Sequence, residues 1–195
     1  DEGKTFEKEK DLLKTGPKGV CACCNLRAIA RDGALLVLYR GAVTKGQRDL
    51  YLISSKDGGK TSSTRKFNEW PAPGCMMSGQ GLEPGPAGIQ AAWESKGQVF
   101  CTQIDPKNPS KGARILEAPE NPGNRKYPVA CANAKGQVLL AWAEGAKGSG
   151  PLTVRWQVFD EKGKPMGEAG TGQPLADASR IAAFAVKDGG FRILH

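Results

Sequence analysis

Asp1-Glu2-Gly3-Lys4-Thr5-Phe6 and Ser55-Lys56-Asp57-Gly58-Gly59-Lys60-Thr61-Ser62 write the same turn twice. In both, a carboxylate stands two residues before a glycine and four before a threonine. Looser copies follow at Asp105 (Ile104-Asp105-Pro106) and Asp160 (Phe159-Asp160-Glu161-Lys162-Gly163), with successive spacings of 56, 48 and 55 residues. A second marker, a glycine before an apolar run ending in an aromatic, starts at Gly33, Gly88, Gly136 and Gly189, spaced 55, 48 and 53. Both markers shorten in the same unit, which argues for one underlying repeat. A repeat of about fifty residues built from short strands predicts stacked four-stranded antiparallel units, an all-β propeller.

Composition agrees. The 195 residues are 39% hydrophobic, enough for a core, and the 26 glycines and 13 prolines lie mostly between short apolar runs, as hairpin turns require. The best helix candidate, residues 7–14, is short and highly charged, so it reads as a solvated strand edge or a single turn. The longest apolar run, Ala34 to Tyr39, falls far short of the ~20 residues that span a bilayer, so no transmembrane segment is expected. No secretion signal is written at the start. Net charge is +8, with lysines spread over the turns; this serves solubility and edge protection, or attraction to an anionic glycan or membrane surface. No nucleic-acid module is visible.

With the Asp turn taken as the link between third and fourth strands, three whole blades cover residues 21–72, 75–119 and 124–174. Partial blades cover 1–14 and 180–195. First strands are expected near Cys24–Ala30, Met76–Gly79 and Tyr127–Ala132, and a weak outer strand after Pro165. The chain opens inside a turn, without the Ser-x that should precede Asp1. That predicts the C-terminal part of a longer propeller.

The pattern S-x-D-x-G-x-T-aromatic is the Asp box, and on it the chain resembles the sialidase/neuraminidase superfamily of Asp-box, or BNR-repeat, propellers. Ser55, Asp57, Gly59 and Thr61 match one box, with Ser62 where the aromatic belongs; Asp1, Gly3, Thr5 and Phe6 match another. More narrowly, Cys21-Ala-Cys-Cys-Asn-Leu-Arg27, Cys75-Met-Met-Ser-Gly79 and Asn124-Arg-Lys-Tyr-Pro128 look like a bacterial sialidase-like branch of uncertain activity. The resemblance implies a propeller of six blades when complete, with the Asp boxes as structural turns on the outer side, each aromatic packing between sheets.

It also implies a site. Sialidase chemistry uses three arginines around a substrate carboxylate, since a guanidinium fork matches that anion bidentately, with a tyrosine nucleophile, a glutamate that activates it, and an aspartate acid/base. Arg27, Arg125 and Arg180 sit at comparable positions, 98 and 55 residues apart. The family's tyrosine follows its last arginine, whereas none follows Arg180. Tyr127 is the substitute, two residues after Arg125. The acid/base aspartate belongs to an early blade that this chain does not contain.

Six cysteines stand at 21, 23, 24, 75, 101 and 131. On a strand, Cys21 and Cys23 share a face and Cys24 takes the other. One or two disulfides between neighbouring blades, from one of Cys21, Cys23 or Cys24 to Cys75, fit an exported, extracytoplasmic protein. The alternative is a soft-metal site, such as copper, on Cys21, Cys23, Cys75, Met76 and Met77; against it, Met76 and Met77 read as filling in a tight inner strand. No cofactor is otherwise expected. Trp93, Trp142 and Trp156 read as repeat core; Trp70 reads first as core too, with stacking on carbohydrate as its alternative. The expected function is a binding module for a partner protein or glycan. The alternatives are an exo-sialidase-type glycoside hydrolase and a structural subunit of a larger complex.

Overall fold

The structure is a computed structural model that describes residues 4–6, 8–9, 11–13, 19–42, 46–72, 77–120, 123–145, 150–176 and 180–195. Among them there is no helix, and so none long and apolar enough to cross a membrane. The first sheet holds β1 (Leu26–Arg31), β2 (Ala34–Arg40), β3 (Leu50–Ser55) and β4 (Ser63–Asn68). The second holds β5 (Gly81–Gly85), β6 (Gly88–Ser95), β7 (Gln98–Ile104) and β8 (Ile115–Glu117). The third holds β9 (Asn124–Ala132), β10 (Val138–Gly145), β11 (Thr153–Phe159) and β12 (Gly170–Pro174), and β13 (Ala182–Ala185) pairs with β14 (Phe191–Leu194). Each sheet is an antiparallel meander in which every strand bonds its sequence neighbour.

Sheets stack face to face because alternate residues of a strand supply opposite faces. In β6 all eight residues are buried. Ile89, Ala91 and Trp93 pack with Leu36, Leu38, Leu50 and Leu52 of the first sheet, while the intervening Ala92 joins Leu140, Trp142 and Phe159 of the third. The same alternation recurs in β10, where Ala141 and Ala143 meet Leu175 and Ile181 on the far side. A strand buried on both faces therefore reads as a continuous apolar run. The first strands β1, β5, β9 and β13 lie next to one another in chain order.

Polar staples join the layers. Arg31 donates to the carbonyls of Gly85 and Gly88, Gln80 Nε2 to Asn25 O at 2.6 Å, and Asn133 Nδ2 to Gly189 O at 2.6 Å. Gly97, in the β6–β7 turn, has φ +77°, and an added Cβ would collide with the carbonyl of Gly123, where the chain crosses towards β9. Only glycine meets both demands there.

The Asp57 turn links β3 to β4. Asp57 Oδ1 accepts from Thr61 N at 2.8 Å and from Ser55 Oγ at 2.9 Å, and Oδ2 from Thr61 Oγ1 at 2.6 Å. Asp105 and Asp160 take the corresponding β7–β8 and β11–β12 turns, where Asp105 Oδ1 accepts from Lys107 N at 2.9 Å and Asp160 Oδ1 from Lys164 N at 2.7 Å. The Thr61 hydroxyl and backbone N–H hold the Asp57 carboxyl down at about 2. A depressed folded pKa means the turn's contribution is complete above the unfolded value of ~3.9 and is lost as pH falls from there through about 2. An NMR titration of the Asp57 carboxyl carbon is expected to have its midpoint near 2; a midpoint near ~4 would mean the turn is open.

Several expectations are corrected. The first strand of the second sheet is Gly81–Gly85, beyond the expected Met76–Gly79. Met77 has φ +49° and is 59% exposed, so it does not fill a core. The weak outer strand expected after Pro165 does form, at Gly170–Pro174, following an isolated bridge from Phe159 to Pro165. Among the described residues of 1–14 no strand forms; Ser62 Oγ donates to Leu12 O at 2.8 Å, so this segment rests beside the Asp57 turn. Phe6 is 92% exposed and packs between no sheets, and Thr5 is exposed as well. Asp1 and Gly3 lie outside the described residues. Trp70 is buried beneath the Arg40 guanidinium, 4.2 Å from its ring centroid, and offers no stacking surface. Trp156 is only partly buried, against the group of Ala141, Ala143, Val154, Leu175 and Ile181.

Candidate functional site

Where the ends of β1, β5, β9 and β13 converge, a cleft of about 220 Å³ opens. Arg27, Glu83, Tyr127 and Arg180 line it, together with Asn25 and Gln80. Arg27 is exposed on β1. Glu83 projects from β5; burial raises its carboxyl, and the Arg27 charge partly offsets that rise. The Arg180 guanidinium lies 4.2 Å from the centroid of the Tyr127 ring, a cation–π contact that spreads positive charge over an aromatic floor.

Tyr127 owes its place to a bulge. Lys126 pairs with Ala143 and Val129 with Ala141, so Tyr127 and Pro128 together oppose one residue, Trp142. Tyr127 takes φ +54°, the left-handed conformation typical of a bulge that re-aims a side chain. In a regular strand Tyr127 and Arg125 would share a face. The bulge separates them.

Arg125 is accordingly no part of the cleft, which corrects its assignment as a substrate arginine. It is 2% exposed and sandwiched between sheets. Its Nε donates to Glu144 Oε2 at 2.6 Å, one terminal nitrogen to Gln98 Oε1, and the other to Pro119 O at 2.8 Å, with the plane 5.3 Å from the Trp142 ring centroid. Three of the four residues expected to act together therefore do meet. Glu83 and Gln80 escaped sequence reading because the first strand of the second sheet, at Gly81–Gly85, was expected five residues too early.

A larger groove, of about 490 Å³, runs among the turns that carry Asp105 and Asp160 and is lined by charges of both signs, including Lys111, Arg114 and Glu161. Three carboxylates, Asp105, Asp160 and Glu161, outnumber its two cations, which makes it the weaker candidate for an anionic ligand.

The thiols do not follow strand alternation. Residues 21–25 form a turn closed by Cys24 N donating to Cys21 O at 3.3 Å. The turn brings the Sγ atoms of Cys21, Cys23 and Cys24 within 4.8 Å of one another, overturning the expectation that Cys24 faces away. Cys23 is disulfide-bonded, whereas Cys21, Cys24, Cys101 and Cys131 take part in no disulfide. Three thiolates so placed would suit a soft ion, but a sulfur in a disulfide is no ligand. Cys75 and Met76 lie outside the described residues. Cys101 and Cys131 are buried in the sheets and pushed up to about 12 by desolvation, which leaves them inert.

No family model matches the chain, and no curated protein matches it. Among solved structures it is similar to a bifunctional GH43-CE protein from Bacteroides eggerthii, at 15% identity and a TM-score of 0.49, over 85% of this chain and 21% of that one. The chain thus spans about a fifth of that protein's length.

Proposed function

We propose that this chain is a piece of a sialidase-like β-propeller, six-bladed when complete, that binds an acidic glycan in the cleft of Arg27 and Arg180 without hydrolysing it. The carrying observation is that two arginines from the first and last sheets line one cleft, one of them resting on the Tyr127 ring. Paired guanidinium groups match a sugar carboxylate, and an aromatic ring suits the apolar face of a pyranose. The side-by-side first strands favour radial stacking over a flat sandwich, and the net charge of +8 favours an anionic ligand. The disulfide at Cys23 agrees with export.

Binding without turnover follows from what the cleft holds. The third arginine is engaged elsewhere, and among the described residues no aspartate lines the cleft to serve as acid/base. Calorimetric titration with N-acetylneuraminic acid and with its uncharged methyl ester tests the reading. The acid is expected to bind at least about tenfold more tightly, as one charge-assisted hydrogen bond is worth, and Arg27→Ala or Arg180→Ala to erase the difference. Equal affinity for acid and ester would refute carboxylate recognition. Release of the fluorophore from a fluorogenic sialoside, abolished by Arg180→Ala, would instead establish the hydrolase, with Glu83 beside Tyr127 as its activating glutamate.

A further inference from the structure

Among the described residues that line the cleft, Glu83 is the one carboxyl. Its strand β5 lies close against β9: a Cβ added at Gly81 would stand 3.2 Å from the carbonyl oxygen of Pro128. Strand alternation puts Glu83 on the same face as Gly81, towards β9, and its charge reaches Cys131 on that strand. Arg27 approaches from β1 and Arg180 from the segment before β13, and both line the same 220 Å³ as Glu83. A ligand carboxylate held by those two guanidinium groups therefore comes to rest near a carboxyl of the protein. Two carboxylates that share one site do not both stay ionised without cost. On the reading of the cleft as a carboxylate site, on which this step rests, we propose that Glu83 is its specificity-determining residue. An acidic glycan enters together with a proton, which Glu83 takes up, and the Glu83 hydroxyl then donates to the ligand carboxylate.

The sign follows from the two states. Burial raises the Glu83 carboxyl, and the Arg27 charge offsets part of the rise. A bound carboxylate adds like-charge repulsion and raises it further. Between the lower and the higher value the complex holds a proton that the free protein lacks. Affinity for the acid is therefore greatest below the lower value and falls as pH rises through the interval. The other charged and titratable groups facing Glu83 are Arg27 on β1, Tyr127 and Cys131 on β9, and Arg180. Arginine and tyrosine side chains keep one charge state from acid to neutral pH, and the Cys131 thiol, pushed up to about 12, stays protonated. Lys126 on β9 acts on Glu94 instead, and Arg31 on β1 donates to the carbonyls of Gly85 and Gly88. His195, the one histidine, does not line the cleft. Glu83 is the group left to titrate.

Calorimetric titration of the whole chain with N-acetylneuraminic acid and with its methyl ester, at about pH 5 and about pH 7.5, tests the coupling. The wild-type preference for acid over ester is expected to be about tenfold larger at the lower pH, the equivalent of moving one carboxyl by a pH unit. Repeating the neutral titration in two buffers of different ionisation enthalpy counts protons and needs no variant; uptake is expected with the acid and none with the ester. Glu83→Gln, neutral at every pH, is expected to bind the acid about tenfold more tightly than wild type at about pH 7.5 and to lose the pH dependence. No proton uptake with the acid, an acid preference equal at both pH values, or a Glu83→Gln variant that keeps the wild-type pH dependence or binds the acid more weakly would overturn the role of Glu83 and leave carboxylate recognition standing. Acid and ester bound equally at both pH values would overturn the reading of the cleft, and this proposal with it.

Discussion

Replacing Arg125 by alanine lowers the unfolding free energy by about 3–5 kcal/mol, the range for breaking a buried ion pair on one side only. The guanidinium satisfies acceptors in three places at once: Glu144 on the neighbouring strand β10, Gln98 on β7 and the carbonyl of Pro119. Its removal leaves Gln98 Oε1 with the Val99 N–H alone, at 2.8 Å, and withdraws the main partner of Glu144, which keeps Trp142 Nε1 at 2.8 Å and the more distant Arg155 at 3.6 Å. Lysine at this position recovers only part of the loss, because one ammonium cannot span three directions in a plane. The midpoint of urea unfolding measures both variants. Burial raises the Glu144 carboxyl, but the Trp142 hydrogen bond and the Arg125 charge outweigh it and hold the group below its ordinary value. The difference between wild type and variant therefore narrows as pH falls through the ordinary glutamate range, ~4.3 and below. An arginine that served substrate alone would leave the unfolding midpoint where it is, and that result would return Arg125 to the site.

Trp93→Ala costs about 3–5 kcal/mol, as truncating a large core aromatic does. The ring is 1% exposed and sits between the first two sheets. It meets Phe67 edge-on at 5.0 Å and stacks on Phe100 at 5.7 Å between centroids. Alanine opens a void that neither sheet can fill, since both walls are hydrogen-bonded ladders. Trp93→Phe is expected to cost much less: it keeps an aromatic in the slot and removes an indole N–H that has no hydrogen-bond partner in the core. Thermal unfolding followed by near-ultraviolet circular dichroism reports both. A phenylalanine variant as unstable as the alanine one would mean that shape, and not burial, governs the interface.

Strand and turn positions were legible wherever the chain has to satisfy a local rule. The Asp57, Asp105 and Asp160 turns came from a carboxylate spaced to accept N–H groups two or four residues on, a requirement the sequence states outright. β6 and β10 announced themselves as apolar runs after glycine because both of their faces are covered. Legibility stopped at Cys21–Asn25 and at Tyr127. Both were read with the period of a strand, and both depart from it, one as a tight turn and the other as a bulge. Nothing in Arg-Lys-Tyr-Pro marks the bulge, since the residue count that creates it is set by the opposing strand β10.

The residues alone determined an all-β chain of antiparallel four-strand units, because hairpin turns and alternating faces act over a few positions and are written there. Tertiary packing decided which arginines share a cleft and which is sealed between layers, since the way a side chain points past a bulge depends on the strand across from it. The same holds for the three sulfurs: their meeting is a property of a turn seated on Arg40, whose carbonyl accepts from Cys21 N at 2.8 Å, and not of their spacing.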